Sequence, residues 1–278
     1  LARYTAARLG GPADALVVAT GVADLIDAVR FAWTEDVPCR VLGGGANVLV
    51  ADEGFRGLVI INRASQVRFG DGGIVRAESG AKLSGLARRC IRRGLGGLEW
   101  AVSVPGTVGG AVINNAGAHG SDMSGCVRQV TVHRPGSVEN RSLVQMAYGY
   151  RTSALKGSGE RFLVTAATLA LTPGYDPQEL RAIADEFMAH RRRTQPPGAS
   201  LGSIFKNPPG DYAGRLIEAA GLKGRQIGGV QISPLHANFF INLGDGTAAD
   251  YVALIRLAQE TVEARFGVRL ELEIEILS

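Results

Sequence analysis

Two apolar stretches that stop abruptly in glycine constrain this chain more than anything else in it. Val41-Leu42 runs into Gly43-Gly44-Gly45-Ala46-Asn47-Val48-Leu49, and further along Val104-Pro105-Gly106-Thr107-Val108-Gly109-Gly110-Ala111 is followed by Asn114-Asn115-Ala116-Gly117. Where side chains are missing, backbone N–H groups can close on an anion and form a nest. Neither run is a Rossmann fingerprint, since no glycine follows Gly45 at the third position and Arg63 stands where an acid is required. Neither ends in the Gly-Lys-Ser/Thr of a P-loop. One such run alone reads most simply as a tight turn. Two together predict the walls of a long cleft able to hold a dinucleotide's pyrophosphate.

The chain has 278 residues, 46% of them hydrophobic, enough for two or three compact units. Its 30 basic and 26 acidic residues leave a net charge of +4, spread along the chain rather than gathered in a tail. That excess suits an anionic small molecule. It would suit nucleic acid equally, but aromatics are only 6% and do not interleave with the basic residues as stacking platforms would, which sets that reading aside. Cys39, Cys90 and Cys126 are odd in number and far apart, which offers neither a disulfide framework nor metal-ligand spacing. No metal is expected, and a reducing cytoplasm is the expected location. No run approaches the roughly 18 apolar residues of a membrane span, and the opening LARYTAARLGG lacks a signal peptide's apolar core. The missing initial Met leads to the expectation of a trimmed N-terminus.

Periodicity divides the chain further. Residues 16–19, 41–42 and 58–61 read as strands around a helix whose Leu25, Ala28, Val29 and Ala32 share a face. Residues 74–78 open a second unit. Its helix keeps Leu83, Leu86, Ala87, Cys90 and Ile91 at i, i+3, i+4 spacing and turns Arg88, Arg89, Arg92 and Arg93 to water. Strands at 127–133 and 162–171 complete an irregular alternation, the pattern of an α+β fold.

After Pro173-Gly174, the run Asp176-Pro177-Gln178-Glu179 carries an N-cap, a first-turn proline and a capping-box acid. It predicts a helix with Leu180, Ile183, Ala184, Phe187 and Met188 inward and Arg191, Arg192 and Arg193 on its last turn, where cations suit the dipole. Thr247 and Asp250 form a second capping box before a helix that ends at Gly267. Beyond it, Val268, Leu270, Leu272, Ile274 and Ile276 alternate with Arg269, Glu271, Glu273 and Glu275, which predicts a half-buried strand with the three glutamates on one polar face.

The runs VLGGGANVLV, SVPGTVGGAVINNAGAHG, YGYRTSAL, GSIFKNP and LELEIEIL resemble, in this order, the motifs of the UDP-N-acetylenolpyruvoylglucosamine reductases, over nearly the whole chain. The resemblance implies an α+β fold with an FAD-binding region of the vanillyl-alcohol-oxidase type over residues 1–172, in subdomains of about 1–65 and 66–172, and a substrate domain over 173–278. It implies a monomeric cytoplasmic enzyme in which NADPH reduces FAD and the enolpyruvyl group of a UDP-sugar is then saturated. FAD would be held by Gly43, Gly44, Gly45, Ala46, Asn47 and Val48 of the first run. The second run would contribute Pro105, Gly106, Thr107, Gly109 and Gly110, followed by Asn115 and Gly117.

Reduction beside a carboxylate creates an enolate-like charge, so the site needs a cationic or hydrogen-bonding partner and a proton donor. By resemblance these are Arg151, whose guanidinium fork matches a carboxylate, Ser203 as proton donor, and Glu273. A serine hydroxyl needs a neighbour such as Lys206 or Glu273 to polarise it. On the residues alone Arg151 is an exposed loop arginine, Ser203 a turn serine, and Glu273 one of a solvated stripe with Glu271 and Glu275; geometry has to choose among the three acids. Lys206, Asn207 and His236 are the implied contacts of the UDP-sugar.

The chain departs from the family pattern where His119 replaces an aromatic Tyr, at Arg225, and at its Glu275-Ile276-Leu277-Ser278 end. The short connection from Arg151 to Ser203 resembles the family branch without an extra closing loop. Two rivals remain open to test: an FAD oxidoreductase of the same fold with another substrate, and a non-catalytic flavin or nucleotide-sugar module.

Overall fold

The computed structural model describes all residues, 1–278, and the chain divides into two compact units. One unit comprises Ala15–Gly44 and Leu58–Arg191; the other gathers Leu1–Asp14, Gly45–Gly57 and Arg192–Ser278.

The first is built on a five-stranded antiparallel sheet in the order Ser137–Ser142, Val127–Arg134, Leu163–Ala170, Ile74–Glu78, Val67–Phe69. Helix Leu83–Ile91 buries the five residues that its spacing predicted, and its arginines stay off the core. Helix Val108–Asn114 and the long helix Pro177–Thr194 join the same core through Val108, Val112, Leu180 and Ala184. A second, three-stranded sheet runs Ala13–Ala19, Phe55–Asn62, Cys39–Leu42, the last two parallel. Helix Val22–Thr34 covers it with Leu25, Val29 and Ala32.

The other unit centres on an antiparallel sheet ordered Ala199–Ser203, Phe239–Asn242, Val230–Ile232, Gln226–Ile227, with helices Ala213–Ala219 and Ala248–Phe266. Thr247 and Asp250 form the predicted capping box, and Gly267 ends the helix in the left-handed region at φ 68°. Tyr251 is fully buried and satisfies its hydroxyl on the Phe240 carbonyl at 2.8 Å.

The boundary does not follow the expected division near residue 173. The helix beginning at Pro177 buries Leu180 and Ala184 in the first unit's core, so the chain leaves that unit only after Arg191. The N-terminal segment and residues 45–57 go with the C-terminal part because their partners lie there. Ala7, Leu9 and Leu49 enter its core, and Asn242 donates to the Ala7 carbonyl at 2.9 Å. The Asp52 carboxylate accepts the N–H groups of Ala248 and Ala249 at 2.8 and 2.9 Å, capping helix Ala248–Phe266, a contribution of about 1 kcal/mol.

The predicted C-terminal strand is also shorter than its alternation suggested. Only Glu275–Leu277 is a strand, paired in parallel with Val48–Val50, and Ile276 is 40% exposed. The preceding residues bond elsewhere. Lys206 N–H reaches the Glu271 carbonyl at 2.9 Å, Glu273 N–H reaches the Ile204 carbonyl at 2.8 Å, and Leu272 bridges Phe205. One segment thus splits its backbone bonds between two partners, and no single pleated face survives.

Candidate active site

The first glycine run leaves strand Cys39–Leu42 and turns at once. A Cβ on Gly43 would lie 2.2 Å from Thr107 Oγ1, and one on Gly44 would lie 2.8 Å from the Gly106 Cα. The two runs expected as opposite walls therefore touch here, backbone to backbone. Gly45 needs its absent side chain for a different reason, since at φ 57° a Cβ would meet the Tyr4 carbonyl oxygen at 2.1 Å. Its own carbonyl accepts the Ala6 N–H at 2.9 Å. The N–H groups of Gly44, Gly45 and Ala46 donate to no protein acceptor, the pattern of open donors that an anion-binding run requires.

The second run is more fully committed to the fold. Val108 N–H is bonded to the Ala81 carbonyl at 2.9 Å, Gly109 N–H to the Ser79 carbonyl at 2.8 Å, and the Gly106 carbonyl accepts Leu83 N–H at 3.2 Å. Gly109 is a glycine because a Cβ would press on Ser79 Cβ at 2.9 Å, whereas Gly110 is exposed and faces nothing within 4 Å. Pro105 is exposed and Thr107 buried.

Asn115 is 3% exposed and caps helix Val108–Asn114 in the left-handed region at φ 45°. Its side-chain nitrogen donates to Asp122 and to the Gly149 carbonyl, both at 3.0 Å, and its oxygen accepts Ser124 N–H at 3.0 Å. A Cβ on Gly117 would lie 2.6 Å from Asp122 Cβ. Both residues are thus occupied in shaping the loop that supports the next one.

Arg151 stands on the tight turn closed by Gly149 and Thr152, whose N–H and carbonyl groups exchange bonds of 3.2 Å. Arg151 itself has φ 56°, a costly conformation for a residue with a side chain, which the turn must hold in place. Three bonds hold the turn. Asn115 takes the Gly149 carbonyl, Ser153 Oγ donates to the Ile113 carbonyl at 2.6 Å, and Lys156 Nζ donates to the Arg151 carbonyl at 3.1 Å. Sequence reasoning missed Ser153, although it lies inside the YGYRTSAL run.

In the other unit, Ser203 ends strand Ala199–Ser203 opposite Phe239, after a bulge at which Gly202 takes φ 77°. The next two residues are clamped by buried Asn238. Its carbonyl takes Ile204 N–H at 2.9 Å, its side-chain oxygen takes Phe205 N–H at 2.9 Å, and its side-chain nitrogen donates to the Phe205 carbonyl at 2.8 Å. Asn238 was not singled out from the sequence, where nothing distinguishes it from a loop asparagine.

Ile204 also links this segment to Glu273, through the 2.8 Å bond noted above. The three candidate acids are thereby separated. Glu271 is exposed and pairs with Lys206 Nζ at 3.2 Å, Glu275 is exposed, and Glu273 is half-buried beside the serine's strand. Asn47 then takes Glu273 from the other side, its side-chain nitrogen donating to the Glu273 carbonyl at 3.0 Å.

The implied substrate contacts are each engaged locally. Lys206 carries its ion pair to Glu271, and Asn207 Oδ1 accepts the Ala213 N–H at 3.1 Å at the start of helix Ala213–Ala219. His236 Nδ1 accepts Asn238 N–H at 3.2 Å, and burial lowers the ring's pKa. Its Nδ1 is therefore engaged with the same asparagine that clamps residues 204 and 205. Ser203, Glu273, Lys206, Asn207 and His236 all belong to one unit, and Arg151 to the other.

Comparison with known proteins agrees over the whole length. Residues 194–277 match the family described as UDP-N-acetylenolpyruvoylglucosamine reductase, C-terminal domain, and residues 13–136 match an FAD binding domain. The chain is 46% identical to UDP-N-acetylenolpyruvoylglucosamine reductase 2 of Symbiobacterium thermophilum, over 99% of this chain and 90% of that one. It is 45% identical to the reductase of Rubrobacter xylanophilus, over 100% and 93%. The crystal structure of UDP-N-acetylenolpyruvylglucosamine reductase from Thermus caldophilus superposes with a TM-score of 0.85 at 35% identity, covering 100% of this chain and 97% of that one.

Proposed function

The chain belongs to the UDP-N-acetylenolpyruvoylglucosamine reductase family, and from that premise we propose that Arg151, Ser203 and Glu273 carry out its reaction on the enolpyruvyl group of a UDP-sugar. The reaction is the NADPH-dependent conversion of UDP-N-acetylglucosamine enolpyruvate to UDP-N-acetylmuramate, a step of peptidoglycan precursor synthesis. FAD is the cofactor; the N–H groups of Gly44, Gly45 and Ala46, which have no protein acceptor, would hold its diphosphate, and Gly43, Val48, Pro105, Gly106, Thr107 and Gly110 would be its further contacts. The chemistry that FAD supplies when bound is hydride relay from NADPH to the enolpyruvyl double bond.

The residues of the chain do the rest. The Arg151 guanidinium grips the substrate carboxylate and balances the charge that grows beside it. Ser203 Oγ–H gives its proton to the carbon next to the one that is reduced, and the Glu273 carboxyl polarises that hydroxyl. One hydride and one proton thus saturate the double bond, and NADPH leaves as NADP⁺. Lys206 turns from Glu271 to the substrate's diphosphate. The exchange is inexpensive, because an ion pair with one side chain 74% exposed is worth at most about 1 kcal/mol. Asn207 lies next to it for the sugar, and His236 serves by fixing Asn238. We propose further that the enzyme works in the cytoplasm as a monomer, a setting that suits its three free cysteines.

The observation that carries this reading is the bond from Glu273 N–H to the Ile204 carbonyl, which sets the acid's residue alongside the serine's. Its test is an anaerobic titration followed by flavin absorbance. The protein should bleach with NADPH and regain colour with UDP-N-acetylglucosamine enolpyruvate. The Ser203→Ala variant should bleach normally and regain colour slower by orders of magnitude. Failure of the wild type to regain colour favours an oxidoreductase with another substrate, and equal slowing of both half-reactions makes Ser203 a structural residue.

A further inference from the structure

Asn47 occupies the last position of the glycine run before a strand, where its resemblance-based role is to touch the cofactor. Its hydrogen bonds point elsewhere. The side-chain nitrogen donates to the Glu273 carbonyl at 3.0 Å, and the Asn47 carbonyl accepts Glu275 N–H at 2.9 Å. One residue therefore brackets the backbone on both sides of Ile274, across a separation of 226 positions.

The bracket is needed because the pairing it extends is short. Val48–Val50 and Glu275–Leu277 form a two-stranded parallel ladder of three residue pairs, which is marginal by itself. Asn47 in turn is held from behind, since the Gly45 carbonyl is bonded to Ala6 N–H at 2.9 Å and the Tyr4 carbonyl leaves no room for a side chain at Gly45. Glu273 is thus fixed at its N–H by Ile204, the neighbour of Ser203, and at its carbonyl by Asn47. A diphosphate accepts hydrogen bonds and offers none, and the open N–H groups of Gly44, Gly45 and Ala46 supply it with donors without calling on the Asn47 side chain.

We infer that Asn47 is a positioning residue for Glu273, coupling the cofactor-holding run to the acid that works with Ser203. The inference rests on the assignment of Glu273 in the proposed reaction. Its consequence is that removing the Asn47 amide loosens the acid while leaving the open donors of the glycine run in place.

The experiment compares Asn47→Ala, the near-isosteric Asn47→Leu, Glu273→Gln and the double variant Asn47→Ala/Glu273→Gln. Flavin dissociation constants are measured by fluorescence, the two half-reactions by stopped flow, and reoxidation by the enolpyruvyl sugar across pH. Both Asn47 variants should hold flavin within about threefold of wild type and lose reoxidation rate by about tenfold to a hundredfold, with a pH profile moved toward that of Glu273→Gln. The double variant should be no slower than Glu273→Gln alone. If Asn47→Ala instead loses flavin while the reloaded protein reoxidises at the normal rate, or if the two substitutions add, Asn47 is a cofactor ligand and the inference is overturned. If Glu273→Gln reoxidises at the wild-type rate, the assignment of the acid fails first. Asn47→Leu keeps the comparison available should Asn47→Ala fold poorly.

Discussion

The Asn115 side-chain nitrogen donates to the Gly149 carbonyl at 3.0 Å, joining the left-handed end of one helix to the turn that carries Arg151. The same amide is saturated by Asp122 and Ser124, so nothing near it is free to replace a lost bond. Asn115→Ala should lower stability by about 1–3 kcal/mol, because it strands buried partners. It should also raise the KM for the enolpyruvyl sugar, since Arg151 loses a brace. Melting temperature and steady-state kinetics check both; an unchanged KM would show that Ser153 and Lys156 hold the turn without it.

Gly45 and Gly110 should respond oppositely to the same substitution. Gly45→Ala drives a Cβ into the Tyr4 carbonyl at a positive φ and should destabilise the protein strongly, by well over the ~1 kcal/mol of an unhindered left-handed alanine. Gly110→Ala meets no protein atom within 4 Å and sits in helix Val108–Asn114, where alanine gains about 0.5–1 kcal/mol over glycine. Flavin affinity should fall in both. For Gly110→Ala a drop in affinity without a drop in melting temperature would place the cofactor against that residue.

His236 makes stability depend on pH. Burial lowers its folded pKa below the unfolded value of 6.5, so the unfolded chain binds the proton more readily. Its contribution is complete above pH 6.5 and is lost as pH falls through the lower folded value. His119 and His133 are lowered by burial in the same sense. His236→Asn should therefore flatten part, not all, of the decline below that pH, as read from denaturant midpoints.

The cysteines should differ in reactivity. Cys90 and Cys126 are buried and their thiols are pushed up to about 12, which leaves almost no thiolate at neutral pH. Cys39 is only partly buried, though burial raises it too. A thiol reagent should slowly modify Cys39 alone in the native protein and all three after unfolding, with peptide mapping to identify them; early labelling of Cys90 would contradict the packing.

Local sequence determined the parts whose cause is local. The spacing of Leu83, Leu86, Ala87, Cys90 and Ile91 chose the buried face of their helix, Thr247 with Asp250 chose a helix start, and Gly267 chose its end. The ordered motifs determined the family. Tertiary structure decided what depends on distant partners. Alternation from Val268 to Ile276 says only that a strand is possible, while the bonds of Lys206, Ile204 and Asn47 broke it in two and set Glu273 apart from Glu271 and Glu275. Residues 1–14 and 45–57 joined the C-terminal unit because Ala7, Leu9 and Leu49 found their core there and Asp52 found a helix to cap. Periodicity reports the face a segment offers, and only the folded chain settles which hydrogen-bonding groups, hundreds of residues away, will meet it.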